Sequence, residues 1–273
     1  MGIRINTNIS SLNTQRHLAN SSSNFRRSME KLSSGLRINR AGDDAAGLAI
    51  SEGLKADIRS LDQAARNAAD GVSLVQTGEG ALDEVSSILL RMKELAEQSL
   101  NGTLSDTDRG YLDSEYTALT DEIDRIAAGT EFNGVSLLDG SLDVDIQVGI
   151  GTTANDSVDV AQATNMNAAG IGVSTAIDTA ANASTAMGEI DAAIATVSGA
   201  RADFGAVQNR LETSIRSISM TSENLSAANS RIRDVDIAKE TSSMTSYQIL
   251  QQAGVSILAQ ANMTSGLAMA LMS

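Results

Sequence analysis

The chain has 273 residues, with 20 Lys and Arg against 34 Asp and Glu, so its formal net charge is −14 at pH 7. It contains one His, no Cys and no Pro, which excludes disulfides, thiolate chemistry, Cys-ligated metals and any site built on two histidines. The acidic balance argues against a nucleic-acid partner, because such binding depends on Lys and Arg at phosphates. Residues 1–13 have no apolar core typical of a signal peptide, and no stretch reaches 18 uninterrupted apolar residues, so we expect neither a cleavable signal nor membrane insertion.

Both ends of the chain place apolar residues among poor helix formers. Between Asn6 and Asn24, 12 of 19 residues are Ser, Thr or Asn, and the last 33 residues carry no charged side chain. Such segments are marginal as isolated helices, so we expect them to fold by pairing with each other and with neighbouring copies. The predicted inner layer has Ile5, Ile9, Leu12, Leu18, Phe25 and Leu32 facing Ile249, Leu250, Val255, Ile257 and Leu258.

Two longer stretches repeat apolar residues every seven positions, a spacing that predicts coiled-coil-like helices. The second, from about residue 187 to 236, would be roughly 75 Å long at 1.5 Å per residue. A compact globule of this chain length has a radius of gyration of only about 19 Å, so we predict a rod. Its predicted core comprises Leu54, Leu61, Val75, Leu82, Leu89, Ile190, Val197, Phe204, Leu211, Ile218, Leu225 and Ile232.

Between these stretches the apolar period changes. Spacings of three and four predict a helix over residues 106–128, with Asp106 as its N-cap. Alternation then predicts a hairpin in which residues 135–138 join residues 142–150 through Asp139-Gly140, with Val158 and Val160 as a further short strand. Residues 151–185 are rich in Gly, Ala, Ser, Thr and Asn, which indicates a surface loop.

No chemical site emerges from the sequence. His17 has no nearby carboxylate to orient it as a base. The run Asp139, Ser141, Asp143 and Asp145 lacks the glycine of a calcium loop and fits the polar face of a strand better. We therefore predict no catalytic, cofactor or metal site, and a protein that is not an enzyme.

These patterns predict a mainly α fold: a long coiled-coil-like helical rod from both chain ends with a small β-hairpin region in the middle. We expect residues 1–42 and 234–273 to form a terminal domain. Residues 43–150 and 187–233 would form a rod domain with its hairpin near 132–150. Residues 151–186 would be a short surface-exposed excursion.

Several motifs carry a family resemblance. The sequence resembles the amino- and carboxyl-terminal signatures of bacterial flagellins over about residues 1–150 and 187–265. The middle lacks the large variable domains that many members insert, so the resemblance is to a near-minimal form. The matching motifs are Leu32-Ser-Ser-Gly-Leu-Arg-Ile-Asn39, Asp43-Asp-Ala-Ala-Gly-Leu-Ala-Ile50, Ala65-Arg-Asn-Ala-Ala-Asp-Gly71, Phe132-Asn-Gly134, Ser230-Arg-Ile-Arg-Asp-Val-Asp-Ile-Ala-Lys-Glu240 and Ile249-Leu-Gln-Gln-Ala-Gly254.

The resemblance implies a subunit that self-assembles into the extracellular helical filament of the bacterial flagellum for swimming motility, without a cofactor. It implies unfolded export by the flagellar type III route and terminal helices that line the channel. The implied partners are other copies, the filament cap, hook-associated junction proteins and an export chaperone at the carboxyl-terminal helix. The alternatives are a hook–filament junction protein, or a secreted effector or adhesin on a flagellin-like rod.

The resemblance also implies contact with the Toll-like innate receptor for flagellin. Arg91, Leu95 and Glu115 match the family's contact positions, while Leu90 stands where receptor-binding members usually have Gln. We therefore expect retained but weakened recognition. In the alternative interpretation, Arg91 packs against the next subunit.

Overall fold

The computed structural model describes residues 7–270, with side chains up to residue 263. It is 74% helical with two small antiparallel hairpins, which confirms the predicted mainly α fold. The chain divides into a terminal unit, Met1–Ala56 with Asn224–Ser273, and a central unit, Asp57–Glu223. The elements are α1 (Ile9–Ser34), α2 (Ala45–Ser99), α3 (Asp106–Gly129), β1 (Glu131–Phe132), β2 (Val135–Ser136), β3 (Leu142–Gln147), β4 (Ser157–Gln162), α4 (Ala180–Arg233) and α5 (Ile237–Ala270).

In the terminal unit, α1 packs along α5. The α1 residues buried at this seam are Ser11, Ser21 and Ser28. Ser11 Oγ donates to Asn262 Oδ1 at 3.0 Å, and Ser21 Oγ donates to the carbonyl of Tyr247 at 3.3 Å. Small hydroxyl side chains therefore let the two helices approach each other, with polar bonds across the seam.

A short backbone ladder follows α1. Gly35 ends the helix in the left-handed conformation, with φ of 71°, which a residue with a Cβ adopts only at a cost. The carbonyl of Gly35 accepts from Val235 N at 3.0 Å, and Arg37 N donates to the carbonyl of Arg233 at 2.6 Å. The ends of α1 and α4 are thus joined by backbone bonds within the terminal unit.

The core of the central unit lies among α2, α3, α4 and the hairpins. Nine residues of the predicted rod core are buried in this unit, whereas Leu54, Leu225 and Ile232 belong to the terminal unit and are half-buried. Gly71 and Gly78 are buried where α2 meets side chains of β3 and α4. The nine buried residues are Leu61, Val75, Leu82, Leu89, Ile190, Val197, Phe204, Leu211 and Ile218.

The predicted hairpin from residues 135–138 to 142–150 is wrong. β2 instead pairs back with β1, because Asn133 and Gly134 have φ of 51° and 80°, as a tight I′ turn requires. β3 pairs with β4 over Leu142–Gln147 and Ser157–Gln162, which confirms the further strand at Val158 and Val160. Leu137 and Leu138 are both fully buried, so that stretch does not alternate as a strand would.

The surface excursion predicted for residues 151–186 is also wrong. This stretch contains β4, the first turns of α4 and an irregular segment, residues 166–177, which we call the strap. Although the stretch is rich in small residues, the apolar side chains of the strap are buried in the core of the central unit. Those buried are Met166, Ala168, Ile171, Val173 and Ile177.

The predicted helix over residues 106–128 is present as α3, but its cap differs. Ser105 is the N-cap and forms a capping box with Asp108. The Ser105 hydroxyl accepts from the backbone N–H of Asp108, and the Asp108 carboxylate accepts from the backbone N–H of Ser105. Asp106 is the first helical residue and binds the guanidinium of Arg109 at 2.9 Å. Arg109, only 7% exposed, also donates to the carbonyls of Ser99 and Asn101 at 2.8 and 3.1 Å, so it fixes the turn between α2 and α3.

Candidate assembly surfaces

The terminal unit exposes large apolar side chains from both of its long helices. Six residues of the predicted inner layer are more than half exposed: Ile9, Leu12, Ile249, Leu250, Val255 and Ile257. Leu18, Phe25, Leu32 and Leu258 are half-buried, and Ile5 lies outside the described residues. A concentration of exposed apolar groups of this kind marks an interaction surface.

The prediction that the apolar residues of α1 face those of α5 is therefore wrong within one chain for these six residues. The α1 residues buried at the seam are serines, and Leu18 lies against α5 at Gly254, where an added Cβ would be 3.3 Å from Leu18 Cδ1. The six exposed side chains point away from the seam. Along one side, the helix pair forms a groove of about 700 Å³. It is lined by Gln15, Leu18, Ala19, Ser22, Phe25, Arg26, Gln248, Gln251, Gln252 and Val255.

The central unit presents a second, charged surface on α2 and α3. Arg91 donates two hydrogen bonds to Glu115 Oε1, at 3.0 and 2.8 Å, and a third to Glu94 at 2.9 Å. The hydrogen bonds to Glu115 and then to Glu94 raise the pKa of the Arg91 guanidinium. Arg91 and Glu115 are about half exposed, so both are available to a partner.

Leu95 does not share that surface. Its side chain is fully buried in the core of the central unit, so its expected contact with a receptor is wrong. The exposed apolar residue beside Arg91 is Leu90, at 54%. The sevenfold repeat of α2 already indicated this difference in burial. Leu95 lies next to Ala96, which is seven residues after the buried Leu89, whereas Leu90 lies outside the buried apolar stripe of the helix.

Charge is distributed unequally between the two units. The terminal unit carries 11 Lys and Arg against 7 Asp and Glu, and the central unit carries 9 against 27. The central unit is therefore strongly acidic, and close packing of several copies brings like charges together.

Among residues 7–270, no three His, Cys, Asp or Glu side chains are grouped so that they could hold a metal ion. None of the helices described for these residues combines the length and apolar character needed to cross a bilayer. His17 is exposed on α1, and Asp139 accepts from the backbone and hydroxyl of Ser141.

Comparison with known proteins follows the same division of the chain. Residues 5–143 match the bacterial flagellin N-terminal helical region, and residues 187–269 match the bacterial flagellin C-terminal helical region. The first match covers α1 to the start of β3, and the second covers most of α4 and α5. The strap and β4 fall between the two matches.

Individual relatives match along nearly their whole length. A flagellin of Halalkalibacterium halodurans is 48% identical over 261 residues, which are 94% of this chain and 95% of that protein. A flagellin of Bacillus subtilis is 46% identical over 296 residues, with 95% and 96% covered. The crystal structure of Bacillus cereus flagellin is 37% identical with a TM-score of 0.51, covering 60% of this chain and 94% of that chain.

Proposed function

This chain belongs to the bacterial flagellin family and is a structural subunit of a flagellar filament; we propose that its terminal helices form the filament's inner, channel-lining layer. The observation that carries the proposal is the exposure of six large apolar side chains on the α1–α5 pair. Apolar surface of this kind gains stability when it leaves water. In a homopolymer the nearest source of complementary surface is another copy, and contacts that do not close build helical filaments.

The energetic scale supports docking through these residues. Full burial of a Leu or Ile side chain contributes about 1.5–3 kcal/mol, so burying the exposed half contributes about 1 kcal/mol each. The remaining domain assignments follow as proposals. Residues 43–150 and 187–233 build the outer rod, and residues 1–42 and 234–273 build the inner layer.

We further propose the export route and partners that the family implies. The subunit would leave the cell unfolded by the flagellar type III route and serve swimming motility. The absence of Pro supports rapid folding at the filament tip, because no slow prolyl isomerisation can delay it. The proposed partners are the filament cap, hook-associated junction proteins and an export chaperone at the carboxyl-terminal helix.

Seeded polymerisation followed by negative-stain microscopy tests the inner-layer assignment. Removing the last 20 residues should leave a folded central unit that does not elongate seeds, and Ile249→Ser with Leu250→Ser should slow elongation. Met220→Ser is the matched control, since Met220 is 67% exposed but lies in the central unit. Normal filaments from the truncated chain would refute the assignment. An intact chain that never elongates seeds would instead favour a hook–filament junction protein or a secreted effector.

A second proposal is that the Arg91–Glu115 surface contacts the Toll-like innate receptor for flagellin. The supporting observation is a three-bonded guanidinium held at the surface, since Arg is a frequent hot spot of interfaces. In a receptor-reporter titration, Arg91→Ala should weaken the response, whereas Arg125→Ala, which breaks an exposed pair with Glu122 on α3, should not. Equal responses from both variants would show that Arg91 serves only the filament.

A further inference from the structure

Three carboxylates fasten the strap to the helices of the central unit. Asp124 Oδ1 accepts from the backbone N–H of Ala168 at 2.8 Å. Asp113 Oδ1 accepts from the N–H of Ile177 at 2.7 Å. These two α3 residues hold the strap near its two ends, and the third carboxylate holds it between them.

Glu189 of α4 makes the densest set of contacts with the strap. Its carboxylate accepts from the N–H of Ser174 at 2.9 Å, from the N–H of Thr175 at 3.0 Å and from the Thr175 hydroxyl at 2.7 Å. A strap without regular structure needs such acceptors, because unpaired backbone N–H groups near a core are costly. The strap's apolar side chains are buried beneath these bonds.

No cationic side chain pairs with the Glu189 carboxylate among the described residues, so its partners are the strap's neutral donors. From α3 it faces Asp113 and Tyr116. The buried phenol of Tyr116 has no protein partner. Its burial, followed by the charges of Glu189 and Asp113, raises the pKa of Tyr116 to about 12. On its own helix, Asp191 is paired with Lys93 of α2. No Lys or Arg occurs between Ile126 and Ala200.

Three further charged groups lie close in sequence to the strap or to the carboxylates that hold it. Arg109, one turn before Asp113 on α3, is engaged by Asp106, and Arg125, next to Asp124, is engaged by Glu122. Asp178, just after the strap, accepts from Asn182. The strap is therefore held by carboxylates bonded to neutral donors, together with two bonds that carry no charge: Ser99 Oγ donates to the carbonyl of Ile177 at 2.6 Å, and Met166 N donates to the carbonyl of Leu138 at 2.8 Å.

We propose that residues 166–177 form an acid-released strap, which the carboxylates of Asp113, Asp124 and Glu189 hold over the core and which opens on protonation of Glu189 while the helices stay folded. Protonation removes the negative charge that makes the hydrogen bonds of Glu189 strong. The opened strap uncovers the core end formed by Met166, Ile171 and Ile177.

The direction of the pH effect follows from Glu189. Burial opposes its ionisation, but the N–H groups of Ser174 and Thr175 and the Thr175 hydroxyl outweigh burial, so its pKa is lowered in the closed state. A group whose pKa is lowered stabilises the closed state above its ordinary pKa, and that stabilisation is lost as the pH falls through the lowered value. Opening that takes up one proton becomes about tenfold more frequent per pH unit in this window.

Oxidation of methionine by hydrogen peroxide, read by mass spectrometry, tests the proposal on the full-length chain. Met166 is 1% exposed in the strap, and Met92 is 0% exposed on α2 of the same core. As the pH falls from 7 towards 3, Met166 should become oxidised faster, by up to about tenfold per pH unit between the ordinary and the lowered pKa of Glu189, while Met92 stays protected and far-ultraviolet circular dichroism keeps its helical signal. Simultaneous exposure of both methionines, or protection of both down to pH 3, would overturn the proposal.

Glu189→Gln provides the test at neutral pH. Its neutral amide should speed Met166 oxidation severalfold at pH 7 and flatten the pH profile, again without exposing Met92. Glu122→Gln is the matched control, because Glu122 is bonded to Arg125 on the exposed side of α3 and should leave the profile unchanged. If Glu189→Gln leaves Met166 as protected as in the parent chain, Glu189 does not hold the strap.

Discussion

Gly78→Ala is expected to destabilise the central unit although alanine is the better helix former. A Cβ at Gly78 would lie 2.8 Å from Cε2 of Phe204, and Phe204 is only 1% exposed, so its ring has no free space into which to move. Overpacking of this kind costs about 1–3 kcal/mol, against a gain of about 1 kcal/mol in helix propensity. The net expectation is a loss of up to about 2 kcal/mol.

Gly80→Ala is the matched control on the same helix. A Cβ at Gly80 meets nothing within 4 Å, so this variant should gain about 0.5–1 kcal/mol. Urea unfolding followed by circular dichroism measures both, and an unchanged m-value shows that stability alone has changed. The double variant Gly78→Ala with Phe204→Leu should recover part of the loss. The packing argument is refuted if Gly78→Ala proves as stable as Gly80→Ala.

Three other outcomes are expected. Arg109→Ala should lower the stability of the central unit by about 3 kcal/mol, because it leaves buried carbonyls unpaired; a urea midpoint within error of the parent would contradict this. Tyr116→Phe should change stability by less than about 0.5 kcal/mol, because the phenol has no protein partner, and in the parent chain spectrophotometric titration should find Tyr116 ionising near pH 12. Seeded elongation should accelerate as salt rises from about 10 to 150 mM, because ions screen the acidic central units; slower elongation would show that attraction between opposite charges dominates.

The long helices could be predicted from the sequence because a sevenfold repeat depends only on local spacing. The same repeat located the buried residues of α2 and α4, where Leu82 and Leu211 both fall. The helix ends were less accessible. Asp106 and Ser105 are both good caps, and only the reciprocal bonds with Asp108 distinguish them.

The middle of the chain shows where sequence reasoning stops. Asn133-Gly134 and Asp139-Gly140 are both plausible two-residue turns, and the choice between them depends on Leu137 and Leu138 being needed in the core. The strap is predicted to be a loop because residues 151–185 are rich in Gly, Ala, Ser, Thr and Asn. Its fastening by Glu189 could not be predicted, since that contact joins residues 14 or more positions apart with no periodic pattern.

The helix pair of the terminal unit contradicts a common assumption about amphipathic helices. Sequence reasoning placed the apolar stripes of α1 and α5 against each other, as in an ordinary coiled coil. Ser21 and Ser28, seven residues apart, were the available signal for a different seam, because they form a stripe of small residues along one face of α1. Large residues such as Leu12 and Ile249 then stay exposed on the free chain.

The serine-lined seam affects the critical concentration, which is the concentration of free subunit that remains in equilibrium with filaments. In a polymer of identical units, that critical concentration equals the dissociation constant of one unit from the filament end. Each exposed side chain that loses about 1 kcal/mol of docking energy raises it about fivefold, and two independent losses raise it about 25-fold. If these apolar residues were buried between α1 and α5, the free chain would be more stable. The filament would then dissociate more readily, and its critical concentration would be higher. In the proposed assembly, the exposed Ile and Leu residues of α1 and α5 therefore set the balance between a dissolved pool and a filament that persists in dilute surroundings.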